Sequence, residues 1–219
     1  MGILAIDGPA GAGKSSVAKA LARRLGYRYI NTGAIYRTIA LFAIRNHLDN
    51  ENQIAQAAIE LDMSFEGDNV RLSGEDVSDA IREADVALRA SEVSVLPKVR
   101  SSLLELQRRL AFEAEEGAVL EGRDIGTVVF PDAETKIFLT ASAETRALRR
   151  TQQVEDKGGI ASYEQILSEI RERDERDSAR AVAPLRPAED AVVVDSDGKT
   201  FEEVVAEIAE IASRGLLNE

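Results

Sequence analysis

The sequence predicts an α/β three-layer fold built around a parallel β-sheet. Short apolar runs rich in branched residues alternate with longer segments of helical periodicity, and polar or glycine residues follow each run. Buried parallel strands have this appearance because helices cover both faces of the sheet. The predicted strands lie at residues 3–7, 27–30, 118–120, 136–139 and 191–194.

Helical spacing between and after these strands predicts the other main elements. The predicted helices span residues 14–25, 34–47, 98–115, 143–154, 163–180 and 200–214. Residues 63–79 break the alternation, because strand-like pieces around an Asp68-Asn69 turn indicate a small antiparallel hairpin inserted into the fold. Residues 156–162 place paired glycines between two charged helices, which indicates a mobile flap or an ordinary surface loop.

The composition limits the class of protein. At 219 residues, with 44% hydrophobic and 30% charged residues and no apolar run of membrane-spanning length, the chain suits one soluble domain. The first apolar stretch ends at Asp7 and no basic segment precedes it, so we expect no signal peptide and a cytoplasmic location. A net charge of −12 argues against a nucleic-acid or anionic-membrane surface.

The chain lacks cysteine and has a single histidine, His47. Disulfides, thiolate metal sites and His-based zinc sites are therefore excluded, and a Ser/His/Asp triad has little support. Any catalysis must rest on carboxylates, lysine, arginine, hydroxyls and backbone amides.

A glycine-rich loop joins the first predicted strand to the first predicted helix. Residues 8–15 match G-x-x-x-x-G-K-[ST] in the strand–loop–helix context that this phosphate-binding motif requires. We expect Lys14 to reach the β- and γ-phosphates of a nucleotide and the Ser15 hydroxyl to help hold Mg²⁺. The expected nucleotide-binding residues are Gly8, Pro9, Ala10, Gly11, Ala12, Gly13, Lys14, Ser15 and Ser16.

This loop does not by itself separate kinases from switches, motors or ATPases. A guanine-specific switch would be expected to carry an Asn-Lys-x-Asp segment, and the chain has none. That absence weakens the switch interpretation without removing it.

Other charged segments follow the later strands or lie on a late helix. Residues 31–37 place a hydroxyl and a glycine before Arg37 in the first turn of a helix, which suits an anion. Residues 121–126 place Arg123 and Asp124 at the carboxyl end of a strand, where open α/β sheets bind ligands. Near residues 171–180, one helical face carries three charged residues with a fourth close by: Arg173, Asp177 and Arg180, with Arg176.

Four motifs together resemble the bacterial cytidylate kinases over nearly the whole chain. They are Gly-Pro-Ala-Gly-Ala-Gly-Lys-Ser-Ser at 8–16, Thr-Gly-Ala-Ile-Tyr-Arg at 32–37, Gly-Arg-Asp-Ile-Gly-Thr-Val-Val-Phe-Pro at 122–131 and Arg-Ala-Val-Ala-Pro-Leu at 180–185. The resemblance implies a P-loop kinase core with a five-stranded parallel sheet and one domain over residues 1–219. It implies a core at about 1–60, 98–150 and 181–219, a small monophosphate-binding insertion at about 61–97 and a lid at about 151–180.

The resemblance also implies roles for particular residues. Base recognition falls on Ser91, Arg100 and Asp124, the ribose contacts fall on Arg173 and Asp177, and the acceptor-phosphate contacts fall on Arg37, Arg123 and Arg180, with Thr32 also in the substrate set. The implied catalytic residues are Lys14, Arg123, Arg176 and Arg180. Asn31 departs from the family pattern, which often has Asp there, and Ser15-Ser16 replaces hydroxyl pairs that more often end in Thr.

The implied activity is transfer of the γ-phosphoryl group of ATP, with Mg²⁺, to CMP or dCMP by a monomer. Other P-loop small-molecule kinases, acting on AMP, dTMP or shikimate, are the nearest alternatives. A nucleotide-dependent binding switch with slow hydrolysis is an alternative of another class, and it predicts nucleotide binding without acceptor-stimulated turnover.

Overall fold

The computed structural model describes residues 2–215, and its main sheet contains five parallel strands. These strands are β1 (Gly2–Asp7), β2 (Arg28–Asn31), β6 (Gly117–Gly122), β7 (Thr135–Thr140) and β8 (Val192–Asp195). Their order across the sheet is β2-β6-β1-β7-β8. Each overlaps one of the strands predicted from the sequence. The predicted α/β fold with a five-stranded parallel sheet is confirmed.

The central strand β1 shows why the fold has three layers. Its side chains alternate between the two faces of the sheet, so Ile3 and Ala5 belong to one apolar core while Leu4 and Ile6 belong to the other. All four side chains are buried. A strand that is buried on both faces reads as a continuous apolar run, which is the pattern that identified it.

Helices cover both faces of this sheet. On one side lie α1 (Lys14–Leu25) and α8 (Phe201–Gly215), and on the other lie α2 (Thr32–Arg45), α3 (Glu51–Glu60) and α5 (Pro97–Phe112). Pro97 occupies the first turn of α5, where its missing N–H leaves no hydrogen bond unmade. The sequence interpretation did not assign α3.

The inserted segment forms a second, smaller sheet. Its strands are β3 (Met63–Glu66), β4 (Asn69–Leu72) and β5 (Glu75–Asp76), paired antiparallel. The hairpin is as predicted, but its turn is Gly67-Asp68 rather than Asp68-Asn69, because Gly67 takes the positive φ of 62° that the turn needs. A 3₁₀ turn (Ala80–Arg82) and the helix α4 (Ala84–Val93), which the sequence did not predict, follow it.

Two helices joined by a short connection follow β7. They are α6 (Ala143–Glu155) and α7 (Tyr163–Ser178), joined by residues 156–162. α7 ends at Ser178, so Arg180 lies beyond the helix rather than within it as predicted. A π-helical turn (Ile125–Val129), also absent from the prediction, follows β6.

None of the helices in residues 2–215 combines the length and apolarity needed to cross a membrane. The predicted domain limits include Met1 and residues 216–219, which lie outside the described residues.

Candidate functional site

The carboxyl ends of β1, β2 and β6 open onto one cavity of about 270 Å³. Four phosphate-loop residues line it: Ala10, Gly11, Lys14 and Ser15. So does every residue of the predicted substrate set: Thr32, Arg37, Ser91, Arg100, Arg123, Asp124, Arg173, Asp177 and Arg180. The lining contains six basic side chains and three acidic ones, so positive charge is concentrated here in a chain whose net charge is −12.

The loop between β1 and α1 has the conformation that its glycines allow. Gly8 has a φ of 147°, and a Cβ atom there would lie 2.0 Å from the carbonyl oxygen of Leu139 on β7. Gly13 precedes α1 with a φ of 92° and no side chain caps the helix. The first N–H groups of α1 are therefore left for another acceptor, and a phosphate is the natural one.

Lys14 lies in the first turn of α1 and is buried. Its Nζ donates to the carbonyl oxygen of Pro9 at 2.7 Å, which holds the side chain against the loop. Burial and the nearby Arg123 keep the pKa of Lys14 well below its ordinary value, although Glu121 and Asp7 act in the opposite direction. A phosphate beside this amine would restore the charged form.

A chain of polar contacts joins Tyr29 to two residues that line the cavity, Asn31 and Glu121. Tyr29 donates its hydroxyl to Glu121 Oε1 at 2.5 Å, and Asn31 Nδ2 donates to that hydroxyl oxygen at 3.1 Å. Asn31 Oδ1 accepts from the backbone N–H of Ala34 at 2.9 Å and so caps α2. Asn31 therefore fixes the start of the helix that carries Arg37, a role that an amide performs as well as a carboxylate.

The predicted hydroxyl contacts are engaged within the protein. Thr32 donates its hydroxyl to the carbonyl oxygen of Glu121 at 2.7 Å, which ties α2 to β6. Ser91 donates to the carbonyl oxygen of Ala87 at 3.2 Å. Each hydroxyl oxygen retains acceptor capacity toward a ligand.

Arg100 and Asp124 form an ion pair at one end of the cavity, with about a tenth of each side chain exposed. Arg100 Nη1 also donates to the carbonyl oxygen of Ser94 at 3.2 Å. A guanidinium donor and a carboxylate acceptor thus stand side by side, a combination that suits a ring with an amine beside acceptor atoms.

Arg123 and Arg180 meet on a single buried carboxylate. Arg123 Nε donates to Asp177 Oδ2 at 2.9 Å and Arg180 Nη2 donates to Asp177 Oδ1 at 2.6 Å. Burial raises the pKa of Asp177, but the two guanidinium groups outweigh it, and the net pKa is below the ordinary value. The single negative charge of Asp177 neutralises only part of the positive charge of the arginines around it.

Among the residues that the structure describes, two buried guanidinium nitrogens at the cavity find no hydrogen-bond partner. They are Nε of Arg37 and Nε of Arg173. Burial, followed by the field of Arg123, lowers the pKa of Arg173 to about 10. Buried donors without partners are costly, so this set of arginines is arranged for an anion that supplies the missing acceptors.

The structure separates Arg176 from the other predicted catalytic residues. Its side chain is exposed, does not line the cavity, and donates from Nε to the carbonyl oxygen of Glu172 at 3.3 Å. Arg176 directly precedes the buried Asp177 on α7, and successive helical residues point about 100° apart, so the two side chains do not share a direction. The catalytic role expected for Arg176 stays a prediction, although in this structure its side chain does not share the cavity with Arg180.

Alanine substitutions at Arg176 and Arg180 provide a matched comparison. We expect Arg180→Ala to lower the turnover number about a hundredfold, because one charge-stabilising donor is lost from the cavity. Arg176→Ala should leave turnover within about twofold of the original, since an exposed helical arginine contributes little. Steady-state kinetics of both variants at saturating nucleotide test this, and a loss of similar size at Arg176 would contradict the geometry.

Arg146 on α6 was missed by the sequence interpretation. Its side chain is buried, donates from Nη1 to the carbonyl oxygen of Ala10 at 3.0 Å, and pairs with Asp174 on α7. It connects the phosphate loop to the helix that carries Arg173 and Asp177. Its helix is highly charged and arginine-rich, so sequence alone offers no signal that this arginine is the buried one.

A solved structure and several relatives resemble this chain. The structure of an uncharacterized protein from Eubacterium ventriosum ATCC 27560 matches with a TM-score of 0.52 at 14% identity, covering 97% of this chain and 99% of that one. That likeness supports the fold alone.

Sequence relatives are much closer. The cytidylate kinase of Aeromonas salmonicida (strain A449) is 49% identical over 98% of this chain and 95% of its own length. The cytidylate kinase of Vibrio parahaemolyticus serotype O3:K6 (strain RIMD 2210633) is 51% identical over 93% of this chain and 92% of its own. The family model described as cytidylate kinase matches residues 4–214, so the chain belongs to the cytidylate kinase family.

Proposed function

We propose that this chain transfers the γ-phosphoryl group of ATP to the phosphate of CMP or dCMP, giving ADP and CDP or dCDP. The observation that carries the proposal is one cavity that joins the phosphate-loop lysine, an excess of arginine and the Arg100–Asp124 pair. In the reaction an oxygen of the acceptor phosphate forms a bond to the γ-phosphorus while the bond to the β–γ bridging oxygen breaks. Family membership supports the same assignment.

The donor triphosphate is assigned to the loop at residues 8–16. The N–H groups at the start of α1 and the Lys14 ammonium would carry the β- and γ-phosphates. No histidine or other side-chain base is required, because the attacking oxygen belongs to a phosphate that is already anionic near neutral pH. Catalysis then consists of in-line placement and charge stabilisation by Lys14 and the converging arginines.

Magnesium fits this site as an ion bound mainly by the nucleotide. Within residues 2–215 no group of three acidic or histidine side chains could cage a metal ion, whereas Ser15 offers a hydroxyl at the cavity. Mg²⁺ is commonly held by phosphate oxygens, waters and only one or two protein oxygens. When bound, it would neutralise charge on the phosphates, with Ser15 as its protein ligand.

The acceptor phosphate is assigned to Arg37, Arg123 and Arg180, and the ribose to Arg173 and Asp177. The unpartnered Nε atoms of Arg37 and Arg173 support an anionic ligand between them. At the base, Asp124 would accept from the cytosine amine while Arg100 donates toward the ring acceptors, and Ser91 lies beside them. Uracil places a carbonyl where cytosine has the amine, so its oxygen would face the Asp124 carboxylate.

Residues 61–97 are proposed as the monophosphate-binding insertion and residues 151–180 as the lid. A second cavity of about 380 Å³ supports both, because Asp68 of the hairpin turn and Lys157 of the 156–162 connection line it together with Ser15 and Arg37. The hairpin therefore lies against the phosphate-loop side of the site, where Asp68 accepts from Lys19 Nζ at 2.5 Å. A monomeric state and a cytoplasmic location remain proposals.

An acceptor panel tests the proposed function. We expect ADP release from ATP to accelerate with CMP and dCMP and to remain at least about tenfold slower with UMP and AMP, since each lost or repulsive base contact costs about 1–3 kcal/mol. Equal rates with UMP would contradict the base-recognition assignment. Nucleotide binding without stimulation by any acceptor would favour a switch instead.

A further inference from the structure

Asp7 is a buried carboxylate to which the sequence interpretation assigned no function. It is the last residue of β1, immediately before Gly8, and only 5% of it is exposed. One carboxylate oxygen accepts from the backbone N–H of Ile125 at 2.8 Å and the other accepts from that of Gly126 at 2.7 Å. Asp7 does not line the cavity, and both of its oxygens are engaged.

The two N–H groups belong to the residues that directly follow Arg123 and Asp124. They begin the π-helical turn after β6, and no side chain from the turn itself caps it. Without Asp7 these buried donors would lose their acceptor, because the first N–H groups of a helical turn have no partner within it. The carboxylate therefore fixes the path of the chain where it leaves the sheet.

The position of Asp7 in the sheet makes this restraint direct. β1 and β6 run parallel with Asp7 opposite Gly122, the residue before Arg123. The approach is close, since a Cβ atom on Gly126 would lie 3.5 Å from Asp7 Oδ2. The strand that leads into the phosphate loop thus also holds in place the segment that carries Arg123 and Asp124 at the cavity.

The negative charge of Asp7 is itself destabilised by burial and by the nearby charge of Asp124. Burial raises the pKa of Asp7 to about 6, and the like charge of Asp124 adds to this, while the two backbone N–H groups and Lys14 oppose it. An amide or an apolar residue would avoid the desolvation of a charge, but an amide has one acceptor oxygen where the two N–H groups here use two, and an apolar side chain has none.

We propose that Asp7 is a positioning residue for acceptor recognition: it sets the backbone from which Arg123 and Asp124 reach CMP, without touching the substrate. The inference rests on the proposed function. It predicts that loss of the second acceptor oxygen weakens the acceptor site more than the donor site, although Asp7 adjoins the phosphate loop in sequence.

The test is Asp7→Asn, whose amide oxygen can accept one N–H while its NH₂ group faces the other donor. We expect the KM for CMP to rise about tenfold, because one buried N–H loses its acceptor and Asp124 shifts, while the KM for ATP stays within about twofold. Titration calorimetry with CMP alone should show the same loss of affinity.

Glu134→Gln is the matched control. Glu134 Oε2 accepts from the backbone N–H of Ile3 at 2.5 Å, so it also anchors β1 through a carboxylate, but it does not line the cavity. We expect both KM values to be unchanged in that variant. A parallel rise of both KM values in Asp7→Asn, or an unchanged KM for CMP, would overturn the inference.

Gly126→Ala keeps the inference testable if Asp7→Asn does not fold. The added methyl group would make an ordinary contact with Asp7 Oδ2 at 3.5 Å but a tight one at 3.3 Å with the side chain of Lys136, whose Nζ is held by Pro131 and Asp190. The turn after Asp124 must therefore shift relative to Asp7, and Gly126 does not need a positive φ. We expect a rise in the KM for CMP of about twofold or more with the KM for ATP unchanged, and no such rise would count against the inference. Failure of the original protein to phosphorylate CMP would instead refute the proposed function.

Discussion

Replacing Lys14 with alanine is expected to lower the turnover number for phosphoryl transfer by about a thousandfold or more. Lys14 is the basic side chain that the phosphate loop itself contributes to the cavity, and its Nζ is held 2.7 Å from the carbonyl oxygen of Pro9. Because the side chain is oriented before the nucleotide arrives, its amino group, once charged beside the phosphates, can stabilise charge on the transferred group without reorganisation.

The fold should survive this substitution. Burial keeps the pKa of Lys14 well below its ordinary value, which means that the empty protein gains little from the charge. Lys14→Met retains most of the side-chain volume and removes only the amine, so we expect its unfolding temperature to equal or exceed that of the original protein.

Rapid measurements of CDP formation, together with thermal unfolding of both Lys14 variants, test this prediction. Arg24→Ala is the control, because Arg24 lies exposed in the last turn of the same helix. Normal turnover in Lys14→Met would contradict the proposed donor site. Loss of activity accompanied by unfolding in both variants would show that Lys14 is needed for the fold instead.

The sequence predicted the central part of the fold because that part carries local signals. Each parallel strand is an apolar run, and the run at β1 leads directly into a glycine-rich loop of recognisable spacing. The helices α3 and α4 were missed although α4 buries Val86, Ala90 and Val93 at helical spacing. The periodic stretch of α4 is short, at ten residues, and lies close behind the hairpin, while α3 buries mainly small alanines whose periodicity is weak.

The residues that resemblance assigned to the substrate do converge on one cavity, but their pairing could not be predicted. The partners are distant in sequence: Arg123 binds Asp177, Arg100 binds Asp124, and Asp7 binds backbone groups more than a hundred residues away. Only the folded chain shows which charges compensate each other. It also shows which donors, as at Arg37 and Arg173, are left for a ligand.

Asp177→Asn is expected to have the second largest effect, because it removes the carboxylate shared by Arg123 and Arg180. The amide is nearly the same size, so packing is preserved while two largely buried guanidinium groups lose their counter-charge. We expect the free energy of unfolding to fall by about 3 kcal/mol, in the range found when one partner of a buried ion pair is removed. Turnover with CMP should also fall about a hundredfold as the two arginines lose their orientation.

The pKa of Asp177 sets the pH range in which Asp177→Asn is less stable than the original protein. Its pKa is below the ordinary value of 3.8, so the stabilising contribution is fully present above that value and is lost as the pH falls through the lower folded-state pKa. The stability difference between the two proteins should therefore remain constant from about pH 8 to about pH 5. Denaturant unfolding across this range measures it.

A bound nucleotide should increase the same difference. If Asp177 contacts the ribose and orients the arginines that bind the acceptor phosphate, CMP will bind Asp177→Asn more weakly, so saturating CMP will stabilise that variant less than the original protein and widen the gap in unfolding free energy between them. Asp190→Asn is the control, because Asp190 pairs with Lys136 at 2.6 Å and does not line the cavity. A gap at Asp177 that CMP leaves unchanged would mean that these arginines stabilise the fold without binding the acceptor phosphate.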